Sequence, residues 1–166
     1  EAEVIIVAGQ NPGTNHPRML SALEECKKNG GKVISINPLE ETGLVNFKNP
    51  QHLKGWIGSG GDMADLHLAV NINQDIPLVK LILKKLAVLD AEDKSVFDHE
   101  FIETYAEGYE NLIADIDKYD EDELFRLSGV GNEKIEKTVK LLASKSKIII
   151  CWAMGLTQHK NGVENI

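Results

Sequence analysis

The chain has 166 residues, enough for one domain with a core of its own or two small ones. Hydrophobic residues make up 42% and charged residues 27%, ordinary globular usage that excludes disorder as the dominant state. The net charge of -8 is unevenly placed: residues 1–89 hold nine acidic and nine basic side chains, residues 90–125 fourteen and two, and residues 126–166 three and seven. So dense an acidic block argues against non-specific binding of nucleic acid or anionic lipid by that segment. It reads as a solvated helical face, or else as a docking surface for a basic partner. No apolar run approaches the roughly 20 residues of a membrane span, and the densest stretch, Ile76 to Leu89, carries Lys80, Lys84 and Lys85. Cys26 and Cys151 are too few for a disulfide framework, a four-cysteine zinc site or a self-contained iron–sulfur cluster. Both are expected to be buried and reduced, which fits a cytoplasmic location. The chain starts without Met and stops just past a motif, so it is expected to be a piece of a larger protein.

Val4-Ile5-Ile6-Val7-Ala8 is a continuous apolar run closed by Gly9, the pattern of a strand buried on both faces of a parallel sheet. Asn15 is a candidate helix cap with His16-Pro17 in the first turn; Met19, Leu20, Leu23 and Cys26 form the apolar stripe, and Gly30-Gly31 ends the helix. Val33 to Ile36 makes a second strand, completing a βαβ unit. An irregular stretch from Asn37 to Asp65 follows, with Gly55, Gly58, Gly60 and Gly61, and a long loop of this kind is usually functional. Leu66 to Val70 reads as a third strand, and Gln74 to Leu89 as a helix with Leu78, Ile82 and Leu86 on one face.

Residues 90–127 are acidic and mostly helical, with Phe97, Phe101, Ile102, Tyr105, Leu112, Ile113, Ile116, Leu124 and Phe125 as apolar anchors. Asn132 can cap a further helix with Ile135, Val139 and Leu142 inward and with i,i+4 pairs Glu133–Lys137 and Glu136–Lys140. Lys147 to Trp152 is expected to be a last buried strand. The fold class is therefore α/β: a Rossmann-like parallel sheet flanked by helices, with an acidic helical insertion before the last strand. The expected organisation is a single domain over 1–166 with the insertion at 90–145.

Ligands of open α/β sheets bind outside the carboxyl ends of the strands, and each strand here ends in a polar or Gly-containing turn. These are Gly9-Gln10-Asn11-Pro12-Gly13-Thr14-Asn15, Asn37-Pro38-Leu39-Glu40-Glu41-Thr42, Asn71-Ile72-Asn73-Gln74-Asp75 and Ala153-Met154-Gly155-Leu156-Thr157-Gln158-His159. They offer amides, a hydroxyl, a carboxylate and backbone N–H groups, which suit a ligand combining a heterocycle with phosphates. Each also has a plain reading: a tight turn and cap, ordinary turn chemistry at Asn37-Pro38, a helix N-terminal acid at Asp75, a disordered end at Thr157 to His159. Gly9 to Gly13 is neither G-x-G-x-x-G nor a P-loop, so a simple nicotinamide dehydrogenase is disfavoured. The five histidines show no metal-ligand spacing and there is no serine elbow or supported Cys–His pair, so no catalytic or metal-binding residue is assigned. Leu124 to Gly131 resembles the hairpin of helix-hairpin-helix DNA-binding modules. The preceding acids oppose that reading, whose plain alternative is a turn between packed helices.

Taken together, the four loops resemble those of the molybdopterin-containing oxidoreductases of the dimethyl sulfoxide reductase superfamily, formate dehydrogenase alpha subunits in particular. The family pattern is a strand followed by Gly-x-Asn-Pro, a strand followed by Asp/Asn-Pro-Arg-x-Thr, a short motif ending in Asp, and a strand followed by Met-Gly-x-Thr-Gln. Phe97 to Tyr105 resembles a further family helix. The resemblance implies that Gly9, Gln10, Asn11 and Pro12 contact the pyrophosphate and pterin side of a molybdopterin guanine dinucleotide carrying molybdenum or tungsten. Asn37, Pro38, Leu39, Thr42, Asn73 and Asp75 would hold its guanosine end, and Met154, Gly155, Thr157 and Gln158 would lie at the pterin edge. Asn37 and Leu39 depart from the family's commoner Asp and Arg, and Asn73-Gln74 from its Gly-containing pair. The resemblance also implies an intact enzyme of formate dehydrogenase type, with a 4Fe-4S cluster outside this segment. Its partners would be the remaining domains of the same polypeptide and an electron-transfer subunit, with no nucleic acid and no membrane. The segment alone is expected to be inactive. The alternatives are a free-standing nucleotide-binding α/β module and the helix-hairpin-helix module at Gly129-Gly131.

Overall fold

A computed structural model describes residues 1–45 and 62–166; Gly55, Gly58, Gly60, Gly61 and His52 lie outside the described residues. The chain divides into two compact units, Glu1–Val70 with Lys145–Ile166, and Asn71–Ser144.

The first unit is built on a four-stranded sheet of order β3-β2-β1-β4, where β1 is Val4–Ala8, β2 Lys32–Ile36, β3 Leu66–Leu68 and β4 Ile148–Trp152. Every pairing is parallel: Val4 faces Lys32 on one side and Ile148 on the other, and Ile34 faces Leu66. The continuous apolar run of β1 is explained by its central place, since all five of its residues are buried. Two helices, not one, follow β1. Asn11 caps the short α1 (Pro12–Asn15) by accepting the Thr14 N–H at 3.1 Å. Pro17 then restarts the chain as α2 (Pro17–Lys28), because its missing N–H costs nothing at a first helical position. The expected cap at Asn15 therefore moves: Asn11 does the capping, and His16 precedes α2 without a side-chain cap bond. Leu20, Leu23 and Cys26 of α2 pack with Ile5, Val7, Val33, Leu44 and Met63 into one core, with Cys151 at its margin. The stretch after β2 is not wholly irregular, since Thr42–Val45 forms the short helix α3.

Asp65 ties the start of β2 to β3 by accepting the Val33 N–H at 2.9 Å and pairing with Lys32 at 3.2 Å and Lys27 at 3.4 Å. Burial works to raise its pKa, but these donors outweigh it and hold the carboxyl below the usual range. β4 corrects the expectation of a buried strand. It is the terminal strand of the sheet, and Ile148, Ile149, Ile150 and Trp152 are all exposed.

The second unit is helical: α4 (Asp75–Asp93), α5 (His99–Tyr105), α6 (Tyr109–Asp117), α7 (Glu121–Ser128) and α8 (Asn132–Ala143). α4 runs past the expected Leu89 and packs against α6, α7 and α8. Its lysines hold much of the acidic block: Lys80 meets Asp115 at 2.6 Å and lies over the Tyr119 ring, and Lys84 meets Asp117 at 3.8 Å. Lys85 bridges Glu121 at 2.6 Å and Glu136 at 3.0 Å. Glu136 thus pairs across helices rather than along α8, whereas Glu133–Lys137 forms as expected at 2.7 Å. The acidic segment is more than a solvated face. Of the expected anchors, Ile116 and Leu124 are fully buried, but Phe101, Tyr105 and Leu112 are exposed. The turn at Gly129 to Gly131 is internally satisfied. Gly129 takes a left-handed φ of 74° and donates to Phe125 O, and the Val130 N–H donates to Ser128 Oγ at 3.2 Å. Asn71 closes against it, donating to Leu127 O at 3.0 Å. These bonds fit a turn between packed helices and leave the helix-hairpin-helix reading without support at the Gly129 and Val130 amides.

Candidate functional site

Strand order reverses direction at β1, with β2 and β3 on one side and β4 on the other. In open α/β sheets the loops leaving such a pair part from each other and open a crevice at the carboxyl ends. An open cavity of about 700 Å³ lies there, lined by residues following β1, β2 and β4.

Two glycine pairs set the distances between these loops. The Gly155 N–H donates to Gly9 O at 3.0 Å, and a Cβ on Gly155 would come within 2.5 Å of that oxygen and 2.6 Å of Gly9 Cα. Gly9 itself has φ +57°, a conformation that glycine adopts at little cost. On the other side, a Cβ on Gly43 of α3 would come within 2.7 Å of Gly13 Cα in α1. The loop after β1 is therefore in backbone contact with the loops after β4 and β2. Further bonds fix its side chains. Asn11 donates through Nδ2 to a Glu41 carboxylate oxygen, Asn37 Nδ2 donates to Gln10 O at 3.3 Å, and the Gln10 amide nitrogen meets His16 Nδ1 at 3.1 Å.

The structure brings Gly9, Gln10, Asn11, Asn37, Met154, Gly155 and Thr157 to one cavity, as expected for residues of three separate loops. Pro12 is buried at the start of α1 and Pro38, Leu39, Thr42 and Gln158 are exposed, none of them lining the cavity. Gln158 instead donates to Met154 Sδ at 3.4 Å. Asn73, with φ 62°, and Asp75, buried in the first turn of α4, belong to the second unit. Asn15, His16, Glu41, Trp152 and Ala153 also line the cavity and were not singled out as site residues. Trp152 was hidden because it ends an apolar strand, where packing is the plain reading.

Among the described residues the lining has one formal charge, Glu41, and neither Lys nor Arg. Gln10 is 8% exposed, and among the described residues its Oε1 has no hydrogen-bond partner. Among the described residues no group of three His, Cys, Asp or Glu side chains could hold a metal ion.

The chain is similar to several known proteins. An uncharacterized oxidoreductase of Mycobacterium tuberculosis (strain H37Rv) is 38% identical over 168 residues, 99% of this chain and 21% of that protein. The F420-dependent formate dehydrogenase 2 subunit alpha of Methanococcus maripaludis is 27% identical over 166 residues, 100% of this chain and 21% of its own length. Along almost its whole length the chain is thus similar to parts of oxidoreductases, formate dehydrogenase subunits among them. No protein-family model matches it. The fold is shared with acetylene hydratase from Pelobacter acetylenicus, at a TM-score of 0.77 and 20% identity over 99% of this chain and 20% of that one. The chain spans about a fifth of the length of the curated relatives it matches.

Proposed function

We propose that the cavity holds one dinucleotide of a molybdopterin guanine dinucleotide cofactor, and that the chain is a cofactor-binding domain of a longer molybdenum or tungsten oxidoreductase. The observation that supports this is the cavity at the carboxyl edge of the sheet that brings Gln10, Asn11 and Asn37 together with Met154 and Thr157, amides and a hydroxyl able to meet the polar groups of a pterin. The glycine pairs hold the surrounding loops in backbone contact, and Glu41 and the asparagines offer partners for hydroxyl and amide groups. Without a cation in the lining, a diphosphate would be held by amides and backbone N–H groups. The cofactor supplies the redox chemistry; these residues bind and orient it.

The reaction that fits the relatives is two-electron oxidation of formate to carbon dioxide, a reading that rests on the formate dehydrogenases among them. A segment with no catalytic residue of its own is inactive alone. The 4Fe-4S cluster and the electron-transfer partner belong to the rest of the protein. Among the described residues no helix is long and apolar enough to cross a membrane, and a cytoplasmic location is proposed.

Metal and pterin analysis of the longer protein tests the reading: molybdenum or tungsten with pterin is expected, and the absence of all three sinks it. Gln10→Met separates binding from folding. It removes a polar side chain that lines the cavity together with its bond to His16, so pterin content should fall by more than a small loss in melting temperature explains; unchanged pterin content would remove Gln10 from the site.

A further inference from the structure

His16 stands at the junction of two helices, and its side chain caps neither. It follows α1 and precedes α2, the position where Ser, Thr, Asp or Asn usually stabilises a helix by accepting a backbone N–H. The His16 side chain makes no such bond to α2. Its Nδ1 lies 3.1 Å from the Gln10 amide nitrogen instead, and both residues line the cavity. Local structure arranges this meeting. Asn11 caps α1, the four residues of that helix carry the chain through one turn, and the His16 N–H closes on Pro12 O at 3.0 Å. Pro17 then starts α2. The chemistry of the pair gives it a direction. The Gln10 amide nitrogen carries only hydrogens, so it donates and His16 Nδ1 accepts, which puts the proton of the neutral ring on Nε2. Nδ1 takes one of the two amide hydrogens, and among the described residues the other has no acceptor.

We propose that His16 is a positioning residue of the cavity: it holds the Gln10 amide by its nitrogen and sets Gln10 as a hydrogen-bond donor toward an acceptor oxygen of the ligand, a phosphate or ring carbonyl oxygen. This rests on the reading of the cavity as a dinucleotide site. Among the described residues the lining has neither Lys nor Arg, so an oxygen-rich ligand meets amide hydrogens there rather than cations. The sense in which each amide is held then decides whether it attracts or repels that oxygen. An untethered glutamine can present either end of its amide. Turned end for end, Gln10 would set its own carbonyl oxygen where the donor belongs, and a ring nitrogen that accepts selects against that orientation.

The test is His16→Ser in the longer protein, read by the rate at which pterin is released and by the melting temperature of the protein after release. Serine can cap α2 but stops one atom short of the Nδ1 position, so the two readouts part. Release is expected to be about two- to tenfold faster, the worth of one hydrogen bond, at a melting temperature that holds or rises. Unchanged release overturns the proposal. Faster release that goes with a fall in melting temperature overturns it too, since that is the mark of a structural role alone. Gln10→Met combined with His16→Ser shows through which residue His16 acts. The double variant should release pterin no faster than Gln10→Met; a further acceleration by the full factor of His16→Ser means that His16 acts independently, and overturns the proposal. An unaltered longer protein without pterin fails the cofactor reading itself, whereas pterin that is present and indifferent to His16→Ser fails the His16 assignment alone.

Discussion

The two units solve opposite problems with opposite chemistry. The first carries nine acidic and nine basic side chains and the second seventeen and nine, so the whole net charge of -8 resides in the helical unit. The neutral unit holds the cavity and shapes it with backbone: Gly9 against Gly155, Gly13 against Gly43, and amides bonded to one another. The acidic unit holds its helices with charge, above all through Lys80, Lys84 and Lys85 of α4. The net charge of the chain therefore describes how the helices are held and says little about the ligand.

The contrast breaks first at its glycines. Gly155→Ala places a Cβ 2.5 Å from Gly9 O and 2.6 Å from Gly9 Cα. Backbone has to move, at a cost of about 2–4 kcal/mol by analogy with other steric insertions. A fall in melting temperature and loss of pterin from the longer protein are expected; a stable, pterin-loaded variant would show that the loops are not in contact.

Asp90 tests the second unit. It is 2% exposed and accepts the Val96 and Phe97 N–H groups at 3.2 and 3.0 Å and meets His99 Nε2 at 2.8 Å. Asp90→Ala leaves these donors stranded and should cost about 3 kcal/mol in chemical denaturation. Burial works to raise the Asp90 pKa, but the Phe97 N–H and His99 outweigh it and hold the carboxyl below its ordinary value. Its contribution is then fully present above the unfolded value of about 3.9 and is lost as the pH falls through the lower folded value. In an acid titration Asp90→Ala should flatten that decline, and an unchanged profile counts against the assignment.

Lys85→Met removes two partly exposed pairs, Glu121 and Glu136, at a cost of about 1 kcal/mol that shrinks with added salt. Salt sensitivity seated in the first unit instead would invert the comparison. The smallest effect belongs to Glu133→Gln, which loses an exposed surface pair on α8, and its denaturation midpoint should barely move.

Much of this was legible in the residues because periodicity and turn chemistry are local. The apolar run of β1, the stripe Leu20, Leu23 and Cys26 of α2, and the polar turns after β1, β2 and β4 place the sheet and point to its carboxyl edge. The partner of each lysine was not legible. Lys85 has an acid on α7 and another on α8, and only packing chooses them. Nor was the division of the site. Asn37 reaches Gln10 O, whereas Leu39, two residues on, stands 73% exposed, because the chain turns away between them.

By itself the sequence determined the α/β class, the alternation of strands and helices, and three of the four turns expected at one edge of the sheet. All follow from patterns a few residues long. Only the tertiary structure decided that Gly9 touches Gly155, that Lys85 pairs with Glu121 and Glu136, and that β4 lies at the end of the sheet with its isoleucines open. Each depends on residues distant in the chain. An apolar strand reads the same whether it is interior or terminal, because burial is set by its neighbours and not by its own side chains.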